Sequence, residues 1–391
     1  MKVLYISNMA SESVFHSVFG KNGKRYPSQA GQKYHNLTLS GLRKNGVDVT
    51  NFSVLPLSAS TYAGKWFSGK KHSTKEDLYL SMPTVSGLRH IWIFLSVFIK
   101  TLFFGWKKER IVVCDVLNFT VSLAVLLATR LSPAKSVGIV TDVPTKRAKK
   151  ADSLKMKLYT RLSFSVLKSF DSFVFLTSAM NELINEKGRP FVVAEGLVDI
   201  EESAEESKTE KYPQKVCLYA GSLKKIYGIG MLIDGFLKAG VENSALHIYG
   251  AGDFEEEIKK ICEREESIKF FGIVPNSRVV EEEKKVSLLI NPRPTDEEYT
   301  RYSFPSKNME YMVSGTPLLT TCLPGMPQDH KEHIFLIEEE SAEGIATALR
   351  EIFSHTGEEL GEKGKRAREF ILNEKNNLVQ AIKLVEMMKK L

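Results

Sequence analysis

Val286 to Ile290 is an apolar run broken only by Ser287. The chain then turns through Asn291-Pro-Arg293-Pro and an acidic loop before Ser306 opens a helix, which Gly315 ends and Pro317 keeps from resuming. A buried strand that feeds a helix in this way belongs to a doubly wound α/β sheet. It aims free backbone N–H groups and the positive end of the helix dipole at a crevice where anions bind. Lys307 and Glu310 share one face of the first turn. Together these features suit a nucleoside diphosphate, with donors for the phosphates and a carboxylate to accept from ribose hydroxyls. The plainer alternative is an amphipathic helix whose Lys307 and Glu310 are merely solvated.

The stretch resembles the donor-binding signature of the retaining glycosyltransferases of family 4, of the capsular and exopolysaccharide-assembly type. In that family a Glu, a Phe-Gly and a second Glu precede Gly-x-Pro; here Phe304, Glu310, Gly315 and Pro317 take the matching places. Tyr302 replaces the first Glu, and Pro305 replaces the Gly after Phe. The resemblance implies the GT-B fold, two Rossmann-like domains facing a cleft, with a UDP- or GDP-sugar held mainly by the second. Glu310 would then be the ribose-binding carboxylate, among donor contacts that include Tyr302, Ser303, Phe304, Ser306 and Lys307. Family members also clamp the donor phosphates with an Arg after a strand-ending Gly and a Lys before the next Gly. Gly221 fits, but Ser222 and Tyr227 stand where the cations would be. Arg293 and Lys307 are the local substitutes, with Lys224 and Lys225 in reserve.

The 391 residues predict two domains of ordinary globular composition. Residues 1–195 hold 28 Lys and Arg against 12 Asp and Glu, and residues 196–391 hold 26 against 35. A basic first half suits an anionic membrane or an anionic lipid-linked substrate. No nucleic-acid motif accompanies it, so nucleic acid ranks last. Cys114, Cys217, Cys262 and Cys322 are widely spaced without a CxxC, which argues against a zinc site or a disulfide framework and predicts buried, inert thiols. The start of the chain reads as a strand rather than a signal peptide, which predicts a cytoplasmic protein, with a peripheral place on the inner face of the membrane as a further expectation.

Along the chain, Val3 to Ile6, a helix over 32–44 and Val47 to Thr50 form a β-α-β opening. The preceding loop, through Pro27, Ala30 and Gly31, matches in position the glycine loop that family members place over the donor; an ordinary helix-entry loop reads equally well. Residues 88–106 are the most apolar segment, but Lys100 interrupts them and Lys107 and Lys108 close them, so they do not span a bilayer. They read as a packed helix or as an interfacial one. Asp142 follows the strand Val137 to Val140; by resemblance it lines the acceptor site, while a helix cap is the plainer reading. Lys146 to Arg161 interleave cations with apolar residues. Leu246 to Tyr249 exit through Gly250 and Gly252, short of a dinucleotide fingerprint, so this exit is expected to approach the nucleoside of the donor rather than an NAD pyrophosphate.

The predicted organisation is an acceptor domain over 1–196, an acidic linker over 197–214, a donor domain over 215–372 and a last segment over 373–391 packing back on the first domain. The expected reaction is retaining transfer to a lipid-linked or saccharide acceptor, with no metal or other cofactor. Competing readings are a sugar-nucleotide epimerase or hydrolase of the same fold, and a degenerate subunit that scaffolds a partner.

Overall fold

The computed structural model describes residues 1–20, 29–58, 61–143, 154–203 and 209–391. Pro27 and the cations from Lys146 to Lys150 lie outside the described residues. The chain divides into unit 1, Met1–Leu197 with Asn377–Leu391, and unit 2, Val198–Asn376.

Unit 1 contains β1 (Lys2–Ser7), β2 (Asp48–Ser53), β3 (Trp66–Phe67), β4 (Asp77–Tyr79), β5 (Met82–Pro83), β6 (Arg110–Asp115), β7 (Lys135–Val140), β8 (Ser172–Phe175) and β9 (Phe191–Val193). Seven of these form a parallel sheet in the order β4-β2-β1-β6-β7-β8-β9, while β3 and β5 pair antiparallel on their own. Apolar side chains fill both faces of the central strands: Val3, Leu4, Tyr5 and Ile6 are all fully buried, as sheets covered by helices on both sides require.

Unit 2 contains β10 (Lys215–Ser222), β11 (Ser244–Ala251), β12 (Ile268–Gly272), β13 (Leu288–Asn291), β14 (Leu318–Thr321) and β15 (Phe335–Ile337). They form a parallel sheet in the order β12-β11-β10-β13-β14-β15. Two apolar clusters, one on each face, bury this sheet. The fold class is therefore α/β with two doubly wound, Rossmann-like units.

The last helix, Asn377–Met388, belongs to unit 1, where it packs on the helix Gln29–Lys44. Gly41 permits the crossing, because a Cβ there would lie 2.2 Å from the Asn377 carbonyl. The side-chain amide of Asn45 donates to the Leu378 carbonyl at 3.1 Å.

Two expectations need correction. Residues 209–214 are not a free linker: Glu210, Lys211 and Pro213 are exposed, but Tyr212 packs on the core of unit 2, and Lys211 reaches the Val286 carbonyl at 2.7 Å and the Thr316 hydroxyl at 2.6 Å. The Lys211 ammonium finds acceptors far along the chain, a pairing that composition does not reveal. Cys114 and Cys217 are buried, but Cys262 is half-buried and Cys322 is exposed; all four are free.

Candidate functional site

In an open parallel sheet, ligands bind beyond the carboxyl ends of the strands where the winding direction reverses. In unit 2 the chain runs outward from β10 through β11 to β12, then returns to β13 on the other side, so the reversal lies between β10 and β13. The ends of these strands bring together Gly221 and Ser222, the turn Lys225–Tyr227, Asn291 with Arg293, and the helix Ser306–Val313.

Asn291 anchors the loop that follows β13. Its amide donates to Asn308 Oδ1 at 2.6 Å, and its carbonyl accepts from the Thr320 hydroxyl at 2.9 Å. Tyr311 ties the helix to β10: its hydroxyl accepts from the Ala220 N–H at 2.8 Å and donates to the Ala220 carbonyl at 3.2 Å. The helix that carries Lys307 and Glu310 is thus fixed on both sides.

Lys307 does not extend freely into solvent. Its ammonium donates to Glu310 Oε1 at 2.6 Å and to Glu283 Oε1 at 3.3 Å. Glu283 comes from the helix Asn276–Lys285 and is fully buried, with its second carboxylate oxygen unpartnered. Burial pushes the Glu283 carboxyl up to about 8, although Lys307 pulls the other way. Burial also works against the Lys307 charge, but the two carboxylates outweigh it and raise its pKa. The geometry gives Lys307 two carboxyl partners inside the protein, so its first task is to hold Glu310 in place. Glu310 remains one-fifth exposed, which leaves its carboxylate accessible to a ligand.

Arg293 presents the cation that Lys307 does not. Its guanidinium lies 5.0 Å from the ring centre of Tyr227 and 5.0 Å from that of Tyr299, and no carboxylate pairs with it among the described residues. Its Nε is buried without a partner. The loops are drawn together at Gly228, which has φ +77° and whose Cβ would fall 2.2 Å from the Pro292 carbonyl. Tyr227, the residue at the place of the family's lysine, therefore supports an arginine from the next loop.

The other residues singled out from the sequence divide between surface and scaffold. Ser222 and Ser306 are exposed at the strand and helix ends. Tyr302 and Ser303 are half-buried, and the Ser303 hydroxyl is buried without a partner. Phe304 sits in the core against His330, with ring centres 5.2 Å apart, so its side chain anchors the loop rather than facing a ligand. Gly250, at φ +129°, would place a Cβ 1.8 Å from the Gly221 carbonyl, and Gly252 one 2.2 Å from that of Leu223. Close strand exits, which tolerate no side chain, account for both glycines.

In unit 1 the winding reverses between β1 and β6, at Ser7 and Asp115. Asp142 lies one strand further along, past β7, where its carboxylate accepts from the Val143 N–H at 2.8 Å. Gly31 stands in the first turn of the helix Gln29–Lys44 with open space around it, so it needs no glycine for local packing. At the reversal itself, the buried ring of His35 joins the Tyr5 hydroxyl at 2.7 Å and Asp115 at 3.2 Å.

Sequence reasoning missed Glu283, His35 and Asp115. Glu283 sits among Glu281 and Glu282 in an acidic run that reads as a solvated face, and Asp115 ends a strand without any motif. The one available signal for Asp115 was its place after the apolar run of β6, level with the end of β1.

Residues 214–355, which cover the site of unit 2, match the family described as Glycosyl transferases group 1. No curated protein matches the chain. Among solved structures, Anabaena Alr3699/HepE in complex with UDP superposes at a TM-score of 0.66, with 13% identity over 100% of both chains. The apo lipopolysaccharide outer core galactosyltransferase WaaB gives 0.66, with 15% identity over 100% of both chains. A variant of S. aureus TarM, in complex with Fondaparinux, alpha-GlcNAc-glycerol and UDP, gives 0.57 at 14% identity. That match covers 79% of this chain and 60% of TarM, so the chain spans about 60% of that relative's length. These likenesses show the fold: the chain is a GT-B protein whose second unit matches the Glycosyl transferases group 1 family over residues 214–355.

Proposed function

We propose that the protein is a retaining glycosyltransferase that moves a sugar from a UDP- or GDP-sugar to a lipid-linked or saccharide acceptor in surface polysaccharide synthesis. The observation that carries this reading is Glu310: a carboxylate on the first turn of the helix after β13, at the reversal of the sheet, held by Lys307 and left accessible. A ribose offers two hydroxyls to such a carboxylate, and the diphosphate falls to Arg293 and to the backbone N–H groups of the helix that opens at Ser306. UDP in the HepE and TarM structures, and the galactosyl transfer named for WaaB, support the same substrate class.

In the reaction so read, the bond from the anomeric carbon to the diphosphate breaks and the acceptor oxygen bonds to the same face. The acceptor's proton passes to a donor phosphate oxygen, so no protein base is needed. Arg293 and the helix dipole stabilise the charge that grows on the leaving diphosphate, the term that usually dominates such catalysis. Asp142 would orient the acceptor. The reading calls for no metal, so turnover should survive a chelator.

The test is a thermal-shift screen of UDP, GDP and their sugars, followed by anomeric assignment of the product by NMR. Stabilisation by one nucleotide and a product with the donor's anomeric configuration support the proposal. Failure to bind any nucleotide would leave a scaffold, as the absence of cations at Ser222 and Tyr227 also allows. Inverted product or free sugar would overturn the reaction assigned.

A further inference from the structure

Three consecutive helices of unit 1, Leu88–Gly105, Phe119–Arg130 and Leu154–Leu167, pack side by side, the middle one touching both others. The first buries Ile93, Val97, Thr101 and Gly105 at four-residue spacing and turns Leu88, Ile91, Leu95, Ile99, Phe103 and Trp106 outward. Phe103 is 77% exposed and Trp106 67%. The middle helix and its end add Leu127 and Leu131, and the third adds Leu154, Leu158 and Leu162, with Leu154 82% exposed. Phe119 and Tyr159 bridge the last two helices, with ring centres 5.6 Å apart. One fold-wide side of unit 1 is therefore apolar over a run of neighbouring helices, where a soluble surface normally scatters its large side chains singly.

The charges on these helices have one sign. None of the three carries an Asp or Glu, while Arg89, Lys100, Arg130, Lys155, Lys157 and Arg161 all belong to them, and Lys107 and Lys108 follow the first. A second copy of the chain would bring the same cations against these, so self-association is opposed. Cations around exposed Leu, Phe and Trp match an anionic leaflet, whose headgroups take the charges and whose acyl boundary takes the rings.

We propose that this side of unit 1 lies on an anionic membrane surface, with the helix Leu88–Gly105 in the plane of the headgroups. That helix is long and apolar enough to cross a bilayer, but its opposite face is committed to the neighbouring helix. It docks sideways. Each of the three helices leads away from the carboxyl edge of the sheet, so their first turns stand at the strand ends where Asp115 and Asp142 lie. Resting on the proposed glycosyl transfer, the inference also selects the acceptor: a lipid-linked one presented at that surface.

Sedimentation of the full chain with phosphatidylglycerol or phosphatidylcholine vesicles tests the docking, with UDP binding measured on the same samples. The chain should sediment with the anionic vesicles only, and each of Lys155→Glu and Arg161→Glu should lower partition at least about five-fold. Ile99→Asp and Phe103→Asp should abolish it, whereas Ile273→Asp, an equally exposed site in unit 2, should not change it. Circular dichroism of each variant confirms folding. Equal binding to neutral vesicles, unchanged binding of the Asp variants, a stable dimer that shields the face, or UDP binding without any vesicle binding would each overturn the docking. That last outcome leaves the glycosyl transfer standing, while vesicle binding without any nucleotide binding overturns the transfer and leaves the docking.

Discussion

Both units wind a parallel sheet around a reversal point, yet they handle charge in opposite ways. In unit 2 the charges near the reversal turn inward: Glu310, Lys307 and Glu283 lie in one connected group. In unit 1 the three helices carry cations and no acid, and Arg130, Lys155 and Arg161 stay outside, spaced among exposed apolar residues. An inward, paired arrangement holds one carboxylate in a set position, as a small ligand requires. An outward, single-sign arrangement fixes nothing locally but addresses an extended surface. Substitutions in unit 2 should therefore change nucleotide binding or stability and leave vesicle binding alone. Any unit 2 change that altered vesicle binding would break the contrast.

The largest effect should come from Lys307→Ala. Removing the ammonium leaves the buried Glu283 carboxyl without its partner, which costs about 3 kcal/mol where Glu283 is ionised, the low end for such a loss because it can protonate. Urea unfolding should show the loss, more strongly at pH 9 than at pH 6. A stable variant that had lost only turnover would return Lys307 to the role of phosphate ligand.

Next is Glu310→Gln. The fold should survive, and affinity for the nucleotide should fall by about 1.5–3 kcal/mol, the range for a hydrogen bond to a charged group. Calorimetry decides: equal affinities would remove Glu310 from the site.

The difference between the units also explains what was legible in the sequence. Period and punctuation reveal strands and helix stops, so Val286 to Gly315 could be read residue by residue, and the parallel α/β class followed. The donor helix was legible because Glu310, Gly315 and Pro317 stand close together in the chain. Its third partner was not, because Glu283 reaches Lys307 from the preceding helix, and distance in sequence hides a contact made through a sheet. Arg293 was visible as a cation, but its place between Tyr227 and Tyr299 depends on two loops meeting at Gly228. The outward face of the first helix in unit 1 was visible only as an apolar run. Hydropathy cannot say which side of such a run the fold covers.

Glu283→Gln should sharpen the inward half of the comparison through pH. Folding raises the Glu283 pKa from 4.5 to about 8, so its contribution to stability is complete below the unfolded value and is lost as pH climbs through the folded one. Glutamine stays neutral throughout. Relative to the variant, the wild type should lose up to about 1.4 kcal/mol between pH 6 and pH 7, and the gap should stop widening above the folded value. Parallel pH profiles of the two proteins would show that Glu283 is ionised in the native state.

The smallest effect tests whether an aromatic ring can stand in for a missing cation. Among the described residues no carboxylate orients Arg293; two tyrosine faces hold its plane, and each such contact is worth about 0.5–1 kcal/mol at a site open to water. Tyr227→Ala should therefore weaken nucleotide binding by about that amount, without lowering the unfolding midpoint, since it removes a wall and not a core residue. Tyr227→Phe keeps the face and should bind like the wild type. Arg293→Lys keeps the charge but loses the plane that stacks, so it should fall at least as far as Tyr227→Ala. If Tyr227→Phe proved as weak as Tyr227→Ala, the hydroxyl and not the ring would be the contact. The phosphate charge would then have to be met by Lys224 or Lys225, which border the same turn.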